Sequence, residues 1–244
     1  MEKFITNLKD LNKKETELKT QKMLKEIGDL QYQMMANQEN SILLVLQGLD
    51  ASGKDGLVSN LLSCCNPVGL SVVGFKKPTK EEYAHDFLWR IHKHTPAKGM
   101  LQVFVRSHYE DILVPSVEGY IAPEIIAQRY ELINNFEKMV EHNETKILKF
   151  YMSVSANAQI KRLEERIANP LKHWKHNDGD FETFRKRDKY IDVYEQILIR
   201  CNDVPWHIIP CDKNWQKLFV AAQILLKTLR EFNMKWPGLE SELF

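Results

Sequence analysis

The chain has 244 residues, with 34 Lys and Arg against 33 Asp and Glu, a formal net charge of +1. That length suits one large α/β domain with a full core. The near-zero charge excludes the global basic field that suits nucleic acid, so any polyanion must be met by a local cationic patch. No apolar stretch is long enough to span a membrane, and no hydrophobic leader core follows the acidic Glu2. Cys64, Cys65, Cys201 and Cys211 lack zinc or redox spacing, which predicts a reduced, cytoplasmic protein. The adjacent Cys64 and Cys65 are expected to pack in a helix as small apolar residues.

Residues from about 12 to 38 are charged and helix-favouring, with Leu18, Met23, Leu24, Ile27, Leu30 and Met34 at helical spacing. They predict an N-terminal helix packed on the domain or on a partner subunit. An apolar strand at 42–47 then runs into Gly48-Leu49-Asp50-Ala51-Ser52-Gly53-Lys54-Asp55-Gly56. A strand, a Gly-x-x-x-x-Gly-Lys loop and a helix, in that order, make a phosphate-binding loop. Gly48 and Gly53 let the backbone approach an anion, the loop amides donate to it, and Lys54 adds a full cation. Two positions depart from the ordinary pattern. Asp55 stands where a Ser or Thr hydroxyl usually serves magnesium, and Asp50 puts a carboxylate inside the loop. A carboxylate so near bound phosphate calls for a cation between them, which makes Asp50 a candidate Mg²⁺ ligand, direct or through water.

Further strand-like runs fall at 71–75, 101–105, 146–152 and 206–210. Helical patterns fall at 55–64, 80–94, 123–142, 156–168, 184–201 and 215–232. Short strands separated by longer helices imply a parallel sheet covered on both faces, a three-layer α/β/α fold. Ligands in such sheets sit at the carboxyl ends of the strands, which gathers Asp50, Lys76, Lys77 and Arg106 around one cleft. The polar stretch 169–187 is a candidate mobile lid. Trp89, Trp206 and Trp215 read as core, as do Tyr130, Ile133 and Phe136. Taken alone, Lys76, Lys77 and Lys80 read as solvated surface charges, and Arg90 and His85 as partners of carboxylates on their own helix.

Four segments in order resemble the polyphosphate kinase type 2 family. They are the loop Gly48 to Gly56; Gly74-Phe75-Lys76-Lys77-Pro78-Thr79-Lys80 with His85 to Arg90; Arg106-Ser107-His108-Tyr109-Glu110-Asp111; and Asn169-Pro170-Leu171-Lys172-His173-Trp174-Lys175 with Pro205 to Asp212. The resemblance runs from about residue 15 to 230. It implies a P-loop kinase fold with a helical lid, and phosphoryl transfer between inorganic polyphosphate and a nucleotide, leaning to adenine nucleotides (AMP, ADP, ATP). It also implies dependence on Mg²⁺ or Mn²⁺ and a homo-oligomer, dimer or tetramer. A flexible polyanion needs several spaced cations, for which Lys76, Lys77, Lys80, Arg90 and Arg106 are candidates, with Lys172 and Lys175 closing from the lid. Arg106 is suited to clamp the transferring phosphoryl bidentately. The attacking nucleotide phosphate is already an anion, so Glu110 and Asp111 read as metal, water or arginine-orienting groups, not bases.

The expected catalytic set is therefore Asp50, Lys54, Arg106 and Glu110, with Asp50 and Glu110 toward the metal. The expected phosphate-binding set is Gly48, Ser52, Gly53, Lys54, Asp55, Lys76, Lys77, Arg90, Lys172 and Lys175. Three positions depart from the family pattern. Val105 stands where Asn or Asp is usual, Arg187 near where Trp is frequent, and Leu218 where Arg is frequent. Two alternatives follow. One is an ATP-dependent nucleoside-monophosphate kinase; the other is a catalytically weakened regulatory protein that binds polyphosphate or nucleotide.

Overall fold

In the computed structural model, which describes residues 11–239, the apolar runs pair into one sheet. Strands β1 (Ser41–Gln47), β2 (Leu70–Gly74), β3 (Leu101–Val105), β4 (Thr145–Ser153) and β5 (Trp206–Pro210) lie in the order β2-β3-β1-β4-β5, all parallel. The central β1 is buried along its whole length, as a strand covered on both faces must be. Register brings the strand ends level: Gly74 lies opposite Val105, and Val105 opposite Leu46. The loops that follow β1, β2 and β3 therefore leave the sheet at one edge. The expectation drawn from Glu2 about a leader falls on residues outside the described range.

Helix α1 (Lys13–Asn37) matches the expected N-terminal helix, but its buried stripe is Thr16, Thr20, Leu24, Ile27, Gln31 and Met34, with Leu18 exposed. Its two threonines enter the interior because their hydroxyls donate to carbonyls four residues back, Thr16 to Asn12 (2.7 Å) and Thr20 to Thr16 (2.8 Å). The helix lies on α10 (Asn214–Glu231) of the same chain, tied by Arg230 to Glu26 at 2.7 Å.

Helix α2 (Lys54–Leu61) stops short of the cysteines, so Cys64 is exposed and Cys65 half-buried in a turn, not helical as expected. A Cβ on Gly28 of α1 would lie 2.3 Å from the Cys64 carbonyl, so this turn packs backbone to backbone against α1. The pattern at 80–94 is two short helices, α3 (Lys80–Ala84) and α4 (Trp89–His92). A capping box between Thr79 and Glu82 starts the first. Asp86 then accepts from the Leu88 amide (3.0 Å), and that local turn replaces helix between them. Helices α5 (Glu110–Glu118), α6 (Pro123–His142) and α7 (Ala156–Ala168) follow. The polar stretch 169–187 holds a 3₁₀ turn (Pro170–Lys175) and α8 (Gly179–Arg185) before α9 (Arg187–Arg200). Trp206, Tyr130, Ile133 and Phe136 are buried, whereas Trp89 and Trp215 are only partly so.

An ionic cluster stands inside the core. Lys149 of β4 donates to Glu137 Oε2 (2.6 Å), to the Tyr109 hydroxyl (2.9 Å) and to the Cys201 carbonyl (2.9 Å). Glu137 Oε1 accepts from the Tyr109 hydroxyl (2.6 Å) and lies 3.2 Å from His108 Nε2. All four side chains have no exposure. Burial opposes ionisation of Glu137, but the bonds to His108 and the charge of Lys149 outweigh it and hold the carboxyl below its ordinary range. The cluster joins α6 and β4 to the segment between β3 and α5.

Replacing Glu137 by Ala leaves Lys149 buried and unpaired, and is expected to cost about 3–5 kcal/mol in urea unfolding. Because the folded Glu137 pKa is depressed, its contribution is full above the unfolded value. The deficit of the variant therefore narrows as pH falls below about 4.3 and through the folded pKa.

Candidate functional site

The phosphate loop is shaped by close approaches. A Cβ on Gly48 would meet Met152 of β4 at 2.8 Å, so only glycine lets β1 end against β4 there. Gly53 caps α2 in the left-handed region (φ +90°), and Ala51 shares that region at φ +59°. Lys54 opens α2 and folds back over its own loop, donating to the carbonyls of Gly48 (2.7 Å) and Leu49 (3.1 Å). Burial lowers its pKa, with Asp50 acting in opposition.

Asp50 accepts from Arg106 Nη2 at 2.7 Å, joining the loop after β1 to the loop after β3. Burial disfavours the Asp50 carboxylate, but Lys54 and Arg106 outweigh it and keep its pKa low. Arg106 holds a left-handed backbone (φ +63°), costly for a side chain this large and characteristic of a site held under strain. Its amide donates to the Leu46 carbonyl (3.0 Å), which fixes the loop to β1. Burial works against its charge, and Glu110 and Asp50 more than restore it. Glu110 sits half-buried behind Arg106, its pKa raised by burial against the pull of Arg106 and Lys54. With the Gln47 amide turned to suit its neighbours, its nitrogen donates to Glu110 Oε1 (3.0 Å) and its oxygen accepts from Ser107.

These groups floor a cleft of about 700 Å³ at the carboxyl edge of the sheet. Eight Lys and Arg side chains line it against four Asp and Glu, an excess that suits an anion longer than one phosphate. The 169–187 stretch forms one wall. Arg166 of α7 binds Asp180 of α8 and the Lys175 carbonyl. Lys172 pairs with Glu165 (2.6 Å), and Lys175 reaches Asp55 of α2 at 3.7 Å. Trp174 stays 77% exposed beside Lys175.

Of the expected residues, Asp50, Gly53, Lys54, Asp55, Lys76, Arg106, Lys172 and Lys175 line the cleft. Gly48 and Ser52 lie beneath it, the buried Ser52 hydroxyl having no hydrogen-bond partner among the described residues. Lys77 is exposed outside the lining. Arg90, expected on the phosphate track, is instead buried. It donates to the Lys76 carbonyl (2.8 Å) and to Asp111 of α5 (2.9 Å), a partner on another helix. Arg90 thus shapes the loop that presents Lys76. Glu110 is under the floor and does not line the opening. Sequence reading missed Arg162, Arg166 and Lys217, all in the lining. Two arginines four apart repel on an isolated helix, a hint that was available for Arg162 and Arg166. Lys217, between Gln216 and Leu218, offers no such hint.

The family model described as Polyphosphate kinase 2 matches residues 10–237. An AMP/ADP-polyphosphate phosphotransferase of Meiothermus ruber is 40% identical over 214 residues, which is 87% of this chain and 80% of that protein. An ADP-polyphosphate phosphotransferase of Rhodopseudomonas palustris is 34% identical over 238 residues, 90% and 80% of the two chains. The crystal structure of polyphosphate kinase 2 from Arthrobacter aurescens superposes with a TM-score of 0.92 at 32% identity, covering 99% of this chain and 91% of that one.

Replacing Lys54 by Met is expected to abolish calorimetric binding of inorganic tripolyphosphate while circular dichroism stays native, because the ammonium meets loop carbonyls and not the apolar core. Undiminished binding would remove Lys54 from the anion site.

Proposed function

This chain belongs to the polyphosphate kinase 2 family, and on that premise we propose that its cleft transfers a phosphoryl group between inorganic polyphosphate and AMP or ADP. The observation that carries the donor class is the twofold excess of cations over carboxylates along a cleft that extends from the phosphate loop to the wall at 169–187; the acceptor class is taken from the names of the relatives. A triphosphate site alone would not need cations from as many segments as Lys76 after β2 and Lys172 and Lys175 on the wall add to Lys54 and Arg106. The names of the relatives favour neither an ATP-dependent nucleoside-monophosphate kinase nor a regulatory binder.

Phosphoryl transfer asks the protein mainly for in-line positioning and charge neutralisation. The loop amides and the start of α2 cradle phosphate, with Lys54 as the adjacent cation. Arg106 lines the cleft with Nη2 on Asp50, and its remaining guanidinium N–H groups are the donors for the transferring group, its strained backbone fixed by Leu46. Lys172 and Lys175, on the wall at 169–187, exclude water when that wall lies over the phosphates. No general base is required, and the charge of Glu110 favours the charged form of Arg106.

The donor set fits Mg²⁺, with Mn²⁺ as substitute. Asp50, which faces the phosphate cleft, is the carboxylate that would hold the ion, and this ion characteristically takes one or two carboxylates and completes its shell with water and phosphate oxygens; Glu110, under the floor, would act on it through charge alone. When bound, it would supply neutralisation of phosphate charge. The proposal includes a cytoplasmic homo-oligomer. Among the described residues no helix is long and apolar enough to cross a membrane. Burial pushes the free thiols of Cys201 and Cys211 up to about 12, so neither is a reactive thiolate at neutral pH.

Purified protein with Mg²⁺ and long-chain polyphosphate is expected to phosphorylate AMP or ADP in preference to GDP, with no product when ATP is the donor to AMP. Product from ATP alone would assign an ordinary nucleotide kinase, and polyphosphate binding without product would assign a regulatory protein. Val105 lines the cleft beside Arg106 and offers no side-chain oxygen. Val105→Asn is expected to raise kcat about tenfold or more by supplying that oxygen. Unchanged or lower kcat would mean the neighbouring groups already serve in its place.

A further inference from the structure

Two cations grip the outside of the phosphate loop. Arg162 Nη1 of α7 donates to the carbonyls of Ala51 (3.0 Å) and Ser52 (3.3 Å). Its Nη2 donates to the carbonyls of Cys211 (2.5 Å) and Asp212 (3.2 Å), just past β5. Lys217 Nζ of α10 donates to the next loop carbonyl, Gly53 (3.1 Å), and to Asn214 Oδ1 (3.1 Å). Three successive carbonyls of the loop are thus held by side chains from two other helices. Among the described residues, neither cation lies within ion-pair distance of a carboxylate.

From this we infer that Arg162 and Lys217 are positioning residues of the phosphate loop, bracing its peptide groups in the orientation that binds phosphate. In a trans peptide the carbonyl and the following N–H point in opposite directions. Fixing the carbonyls of Ala51, Ser52 and Gly53 therefore also fixes the N–H groups of Ser52, Gly53 and Lys54. The Ser52 N–H is taken by Leu49 (3.2 Å), which leaves those of Gly53 and Lys54, at the start of α2, as donors of fixed direction. The brace also accounts for the left-handed Ala51, since a strained non-glycine backbone persists only where its surroundings over-determine it. It gives Gly53 a second reason to be glycine: a Cβ there would lie 2.6 Å from the Lys217 ammonium. Because the acceptors are neutral oxygens, both positive charges still act on the cleft they border.

The inference rests on the phosphotransfer reading for its kinetic consequences, but the brace itself is testable without turnover. Hydrogen exchange of the ligand-free full chain compares wild type with Arg162→Met, Arg162→Gln and Lys217→Met. Losing charged hydrogen bonds to the loop is expected to speed exchange in the segment 48–56 about tenfold in both Met variants, with Gln, which keeps an N–H donor, intermediate. In parallel, kcat with polyphosphate is expected to fall about a hundredfold in the Met variants, recovering partly in Arg162→Gln, while KM for polyphosphate changes little. Unchanged loop exchange with a raised KM, equal in Met and Gln, would overturn the brace and make Arg162 a direct phosphate ligand. Loss of the fold in all three variants would assign the pair to general stability and overturn it equally. A wild type inactive with polyphosphate would sink only the phosphotransfer reading, leaving the exchange comparison to judge the brace.

Discussion

The Asp50–Arg106 ion pair is the contact around which the cleft is organised. It joins two loops whose strands are neighbours in the sheet, and it puts opposite charges 2.7 Å apart at the floor of a cationic cavity. Neither partner is held there cheaply. Arg106 occupies a left-handed backbone, and Asp50 is a carboxylate where an anion is to bind. The pair is partly exposed, so its Coulomb energy is screened and modest. Its importance is geometric: it places a guanidinium and a carboxylate at one point of the cleft floor, the arrangement on which the proposed binding of phosphate and of a divalent cation rests.

Beneath that floor, the structure holds the β3–α5 segment from below. Tyr109 and His108, directly after Arg106 and Ser107, are locked to Glu137 and Lys149 in the core. A buried ionic cluster is weak evidence for stability, since a packed apolar set serves as well. What it specifies is register. A segment with two bonded side chains in the core cannot slide along its neighbours, and the backbone of Arg106 stays where Leu46 receives its amide.

Most cleft cations already have acceptors. Lys172 holds Glu165, Lys175 meets Asp55, Arg166 binds Asp180, Arg106 holds Asp50, and Lys54 bonds its own loop. A polyanion entering this cleft exchanges carboxylates and carbonyls for phosphate oxygens, so part of its binding energy offsets broken protein contacts. That is a physical route to binding a highly charged chain without trapping it. The wall at 169–187 reaches α2 through Asp55, the residue that stands where a hydroxyl is usual.

The five strands, the phosphate loop and the position of the wall were legible in the sequence, because alternating apolar runs and glycine spacing report local burial and backbone shape. Lys54 was legible from the Gly-x-x-x-x-Gly-Lys spacing, and Asp50 and Arg106 because each follows a strand and a parallel sheet sends such ends to one edge. Lys149 and Glu137 were not legible, since a lysine within a strand looks alike whether it meets water or a carboxylate from a distant helix. Arg90 and Arg162 carry the same charge on similar helices, yet one is a strut for the Lys76 loop and the other grips the phosphate loop. Sequence thus determined which chemistry this protein carries and on which edge of the sheet it sits. Only tertiary structure decided which cations face the cleft, because a charged side chain takes its role from partners contributed by segments tens to more than a hundred residues away.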